Sequence, residues 1–252
     1  MTSAPLNISF SQSVCTIEMC QPERGNPINL ALVTAMHQAL DECEQRANVV
    51  VLQGSEQMFC NGADFQLMDQ QNKQGQRDRH TPEKMYDLWQ RLSSGSFVSV
   101  CHLRGRVNAG GVGFVAACDL VLADTSVAIS LSEMLFDITP ACVLPFLLRK
   151  TGYQPAHYLT LTTQPVSAEW AKSAGLIDEV AVDSTELLRK HLLRLRRLSK
   201  PALQRYKQYM AQLSPLPTKA RDSAIELNKR LFQQPEVLDR IFQFVASGNL
   251  IR

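Results

Sequence analysis

The sequence predicts an α/β fold in which βα units come first and helices last. Three observations predict it. Short apolar runs of strand length, such as NVVVLQG at residues 48–54 and LVLAD at 120–124, alternate with stretches of helical spacing. Two apolar runs, at 48–54 and 97–103, lead into glycine-rich corners, FCNGADF at 59–65 and RGRVNAGGVG at 104–113. Beyond residue 154 the spacing turns almost wholly helical.

Residues 6–20 open the chain as a strand or hairpin, with Ile8, Phe10, Val14, Ile17 and Met19 apolar in an alternating pattern. The loop QPERGNPIN follows, broken by Pro and Gly. Leu30, Leu32, Val33, Met36 and Leu40 then stand at helical spacing across residues 30–46, before the strand at 48–54. A short helix begins at Phe65 and runs into residues 69–84, which are polar, poor in apolar side chains and expected to be a mobile lid or binding loop. Helical spacing resumes over 85–92, residues 97–103 read as a strand, and FVAACD at 114–119 is a small-residue helix suited to close packing. A further strand is expected over 125–131, and a brief one at IDEVAV, 177–182, among the later helices. No repeat period is visible. Lys200-Pro201 interrupts the helical pattern, which divides the chain into a core, residues 1–200, and a helical region, 201–252.

A chain of 252 residues suits one large domain, or a domain with a smaller appendage, and can bury a substantial core. A 45% hydrophobic share with 20% charged residues is ordinary for a soluble protein, and a net charge of +2 selects no partner class. The N-terminal stretch lacks the pattern of a signal peptide, and no apolar run approaches the roughly 20 residues that span a bilayer. Seven cysteines stand without a CxxC pair and five histidines without ligand spacing. A cytoplasmic protein with free thiols and no bound metal is expected.

The corners carry the chemistry. Neither matches a phosphate loop: GxxxxGK[ST] is absent, and NAGGVG lacks the GxGxxG spacing. Two such bends could instead supply two convergent backbone N–H groups, which is what a thioester carbonyl needs when it is to become an enolate. Asp64 has two readings, a cap of the following helix or a polar contact to substrate.

At these residues the chain resembles the enoyl-CoA hydratase/isomerase (crotonase) superfamily. FCNGADF is similar to its first oxyanion-hole motif. Gly105, Ala109-Gly110-Gly111 and Cys118-Asp119 are similar to its second. SLSEMLFDITP places Glu133 and Pro140 on the family's Glu and Pro, VSAEWAKSAGLIDEV resembles a later family segment, and PERGNPIN an early one. The resemblance implies a repeated ββα spiral core with a helical C-terminal region that trimerises, often into hexamers. It implies a thioester oxygen held by the N–H groups of Ala63 and Gly110, with Gly62, Asp64, Asn108 and Gly111 beside the substrate. It implies no cofactor beyond the pantetheine that carries the acyl group.

The chain departs from that family in two places. Hydratases use two glutamates, and the first falls here on Gly113, so only Glu133 remains. Alone near an apolar cleft, its carboxyl should have a raised pKa suited to proton transfer; the plainer alternative is a turn residue in a surface ion pair. PACVLPFLLRK, at 140–150, replaces a glycine-rich segment and resembles the hydratase homologues of polyketide β-branching cassettes. This resemblance implies a lyase that dehydrates a 3-hydroxy-3-methylglutaryl group on acyl carrier protein to 3-methylglutaconyl. A decarboxylase or double-bond isomerase of the same cassette is the alternative, and a non-catalytic binding protein is a third. Asn108, Arg104 and Arg106 are candidates for the substrate's distal carboxylate. The stretch LLRKHLLRLRRLSKPALQRYK, 187–207, is basic without an acid and reads either as a solvated helix face or as a dock for acidic carrier protein through Arg189, Lys190, Arg194 and Arg197. No aromatic platform favours nucleic acid.

Overall fold

A computed structural model describes residues 4–76 and 80–248. The chain opens with the hairpin β1 (Leu6–Ser11) and β2 (Val14–Met19), whose register pairs Ile8 with Ile17. Helix α1 (Leu30–Arg46) follows, N-capped by Asn29. Three strand pairs come next: β3 (Val49–Gln53) with β4 (Met58–Cys60), β5 (Val98–Leu103) with β6 (Arg106–Asn108), and β7 (Leu120–Asp124) with β8 (Ala128–Ser130). Between the pairs lie α2 (Phe65–Lys73), α3 (Thr81–Ser94) and α4 (Gly110–Ala117). A 3-10 turn, Glu133–Phe136, follows β8 and leads to α5 (Leu144–Thr151), α6 (Tyr153–Thr162), β9 (Val166–Ser167), α7 (Ala168–Ser173) and β10 (Glu179–Ala181). The chain ends in α8 (Ser184–Leu195), α9 (Lys200–Leu213), α10 (Leu216–Leu231) and α11 (Pro235–Ser247).

Each strand pair divides itself between two sheets. The first strands join a six-stranded sheet, β1-β2-β3-β5-β7-β10, and the second strands a four-stranded one, β4-β6-β8-β9. Strands β3, β5 and β7 run parallel, and β4, β6 and β8 do the same beside them. This is a ββα spiral, and it explains the continuous apolar runs: a parallel strand covered on both faces has no polar side to alternate with. Val50, Leu52, Cys101 and Val121 face the main core with α1, α3 and α4. Val49, Val51, Val98, Val100 and Leu122 face the other way, against Leu187, Leu188, Leu192 and Leu195 of α8.

The polar stretch 69–84 is helical at both ends, contrary to a wholly irregular loop. Asp64 caps α2, Asp69 and Lys73 form an i,i+4 pair at 2.6 Å, and Pro82 and Glu83 start α3. Local capping and pairing therefore supply what the scarcity of apolar residues withholds. Residues 77–79 of that expected lid lie outside the described residues.

The basic stretch 187–207 divides as well. Lys207 is only 4% exposed, and its ammonium donates to Leu92 O, Phe97 O and the Asp119 carboxylate at 3.2, 3.0 and 2.8 Å. Lys200 donates to Cys43 O at 3.1 Å. These lysines tie α9 to the core and are not part of a solvated charge face. Lys207→Met leaves two carbonyls and a carboxylate without their cation. It is expected to cost about 3 kcal/mol of stability, seen as a lower urea midpoint with an unchanged slope.

Candidate active site

The first corner is built on a single bridge. Ile28 N–H donates to Gly62 O at 2.8 Å, and Asp64 N–H donates to Ile28 O at 3.1 Å. In that parallel arrangement the residue between them, Ala63, turns its own N–H away from the Ile28 segment. Among the described residues this N–H has no acceptor. The second corner leaves β6 through Ala109, whose φ of 50° and ψ of −128° put an alanine where side chains are rarely tolerated. That bend starts α4 at Gly110, whose N–H is one of the orphan donors of a helix N-terminus and also lacks an acceptor among the described residues.

The two corners touch. Gly62 has a φ of +92°, and a β-carbon there would lie 2.8 Å from Ala109 Cβ and 3.4 Å from Gly110 N. Only glycine meets both demands. The Ala63 and Gly110 amides are thereby neighbours on the wall of a cavity of about 1070 Å³. Apolar side chains form much of the remaining wall, including Phe65, Phe136 and Phe244 in edge-to-face contact at 5.3 Å.

Glu133 opens onto the same cavity from the start of the 3-10 turn. Its Oε2 is buried and has no hydrogen-bond partner among the described residues. Burial pushes its pKa up to about 7, against a smaller opposing pull from a backbone hydrogen bond. Among the described residues no cation sits on it. A buried carboxyl poised near neutrality beside two free amides can take a proton from a thioester's α-carbon and return one. The surface ion pair, the plainer alternative for Glu133, is not formed among the described residues.

The place of a second carboxylate is closed. A β-carbon on Gly113 would lie 2.3 Å from the ring of Trp89, which is fully buried. The indole fills that space.

Other expected site residues fall differently. Asp64 lines the cavity, yet its Oδ1 accepts from Leu67 N–H at 3.0 Å as a helix cap, and its Oδ2 accepts from Arg24 at 3.0 Å and Asn29 at 2.9 Å. The side chain anchors the corner. Asn108 lines the cavity, donating to Ser132 Oγ and accepting from Ser130 Oγ, both at 2.8 Å. Gly111, expected beside the substrate, does not line the cavity; a β-carbon there would lie 2.5 Å from Cys60 O, so it serves the packing of α4 on β4. Arg104 pairs with Glu56 at 3.5 Å, Arg106 is exposed on β6, and neither reaches the cavity. Arg189, Lys190, Arg194 and Arg197 belong to α8 and the turn after it, on the sheet face opposite the cavity, and Arg189 is paired with Glu186. The carrier dock expected there does not adjoin the site. Sequence reasoning missed Arg24, Ser132, Trp89 and Phe244. Of these only Phe244 left a signal, the apolar spacing of Val237, Leu238, Ile241 and Phe244 along α11.

Glu133 also couples pH to stability. Its folded-state pKa lies above the ordinary 4.5, so the native protein holds a proton that the unfolded chain releases. Stability therefore falls as pH rises from about 4.5 through about 7. Glu133→Gln removes that penalty. The variant is expected to exceed the parent at pH 8 by up to roughly 3 kcal/mol and to match it at pH 4, in denaturant titrations at both pH values.

The enoyl-CoA hydratase/isomerase family model matches residues 9–241. The chain is 45% identical over 249 residues to the bacillaene synthase dehydratase PksH of Bacillus subtilis, covering 98% of this chain and 96% of that protein. A crystal structure of a Bacillus subtilis PksH polyketide biosynthesis enoyl-CoA hydratase superposes with a TM-score of 0.96 at 44% identity, over 99% of this chain and 100% of that one. An enoyl-CoA hydratase from Bacillus halodurans superposes with a TM-score of 0.86 at 20% identity, over 95% and 99% of the two chains, and shares the fold. The ββα spiral is the crotonase fold, and the chain belongs to the enoyl-CoA hydratase/isomerase family.

Proposed function

We propose that the protein is a lyase that dehydrates a 3-hydroxy-3-methylglutaryl thioester, carried on the phosphopantetheine of an acyl carrier protein, to the 3-methylglutaconyl thioester. The observation that carries this reading is a Glu133 whose buried Oε2 has no hydrogen-bond partner among the described residues, in one cavity with two acceptor-free amides. Likeness to a protein named a bacillaene synthase dehydratase supports the direction of the reaction.

The thioester oxygen lies between the N–H groups of Ala63 and Gly110, which stabilise negative charge as it forms; donors of this kind contribute about 3–4 kcal/mol each. Glu133 begins as the carboxylate and takes the C2 proton. The electron pair left on C2 forms the C2–C3 double bond as the C3–O bond breaks. Glu133, now a carboxylic acid, gives the same proton to the departing hydroxyl, which leaves as water. One carboxyl closes the proton balance, so the loss at position 113 does not stop the reaction, provided both transfers occur on one face. No redox step arises, and the chemistry calls for no metal or further cofactor.

Incubation with the 3-hydroxy-3-methylglutaryl carrier protein, followed by intact mass spectrometry, is expected to show loss of one water. Loss of carbon dioxide would identify the decarboxylase instead. Glu133→Gln is expected to lower kcat by about 10³-fold. In the parent, kcat/KM should rise with pH through about 7, because the free enzyme must present the carboxylate. Full turnover by the Gln variant would remove Glu133 from the reaction.

A further inference from the structure

Ser132 stands immediately before Glu133 at the N-cap position of the 3-10 turn, yet it makes no capping bond. Its hydroxyl is engaged elsewhere. Asn108 Nδ2 donates to Ser132 Oγ at 2.8 Å, and Ser130 Oγ donates to Asn108 Oδ1 at 2.8 Å. The pairing of Asn108 with Ser130 across β6 and β8 holds this relay in register. Its polarity is one-way: the amide nitrogen can only donate, so Ser132 is the acceptor there and its own hydrogen is left over. Among the described residues that hydrogen has no acceptor, and Ser132 lines the cavity beside Glu133 and Gly110.

A tertiary hydroxide is a poor leaving group, and here the one carboxyl must first collect the C2 proton before delivering it. The departing oxygen therefore needs a second donor that keeps it on the Glu133 side and accepts part of its developing charge. A neutral hydroxyl already accepting a hydrogen bond is a stronger donor than an isolated one. Ser132 and Glu133 line the same cavity, so both can meet one substrate bound there. Asn108 ties the donor to the bend that positions the Gly110 amide.

We propose that Ser132 is a catalytic hydrogen-bond donor to the C3 hydroxyl of the substrate, held in that role by the Ser130–Asn108 relay. The assignment rests on the dehydratase reading of the same site and adds the residue that recognises the leaving group. It predicts selectivity for a 3-hydroxyacyl thioester over its 3-deoxy counterpart.

The test uses Glu133→Gln, which should bind without turnover, and two probes: 3-hydroxy-3-methylglutaryl-CoA and 3-methylglutaryl-CoA, which lacks the hydroxyl. Calorimetry is expected to show the hydroxylated probe bound about tenfold more tightly, the size of one buried hydrogen bond. Adding Ser132→Ala should bring the two Kd values together, and Ser132→Thr should keep them apart. With Glu133 intact, Ser132→Ala should lower kcat by about tenfold or more with KM nearly unchanged. A preference that survives in the Ser132→Ala double variant, or is missing from Glu133→Gln itself, overturns the assignment of Ser132. If neither probe binds, the dehydratase reading falls and this inference with it.

Discussion

One steric contact organises the site: the backbone of Gly62 lying against Ala109 and Gly110. A side chain at Gly62 would press on Ala109 Cβ at 2.8 Å, so the two corners can meet only if that position is bare. Their meeting makes neighbours of two amides that are far apart in sequence. The cost is a left-handed glycine at 62 and an alanine at 109 with a φ of 50°. Strain of this kind persists only where the surroundings over-determine it. Here they do. Ile28 fixes the first corner from one side, Asp64 ties it to Arg24 and Asn29, and the strand pairs hold β4 against β6 and β6 against β8.

Burial, not pairing, sets the electrostatics of Glu133. Among the described residues Glu133 has no cation and no donor on its inner oxygen, and desolvation, working against one backbone hydrogen bond, moves it to about 7. The carboxyl is thus kept near the pH at which it can both take and give a proton. The same desolvation makes the site unstable when the group ionises, a conflict between stability and chemistry that active sites commonly carry. Trp89 keeps position 113 bare, since its ring occupies what any side chain there would need.

The charged residues of the C-terminal half illustrate how a uniform run in sequence separates in space. Lys200 and Lys207 turn inward to backbone carbonyls and to Asp119, whereas the α8 cations stay on the outer surface behind the sheet. The two groups stand on different helices, α9 and α8. The inward lysines join the C-terminal helices to the strands that present the corners, and the outward ones take no part in the cavity.

The strands at 48–54, 97–103 and 120–124, the helix at 30–46, both glycine corners and the bare position 113 were all determined by sequence, because burial on two faces, helical periodicity and backbone freedom each leave a local signature. The ββα repeat left none: three pairs of strands share a geometry while the segments between them differ in length and composition. The ends of residues 69–84 became helical through a cap and a salt link invisible to apolar counting. Only the tertiary structure decided that Asp64 anchors, that Gly111 packs against Cys60, that Lys207 is buried and that α8 lies across the sheet from the cavity. It alone aligned Ser130, Asn108 and Ser132. Hydrogen-bond partners and the face a side chain finds depend on segments distant along the chain, and no local pattern encodes that meeting.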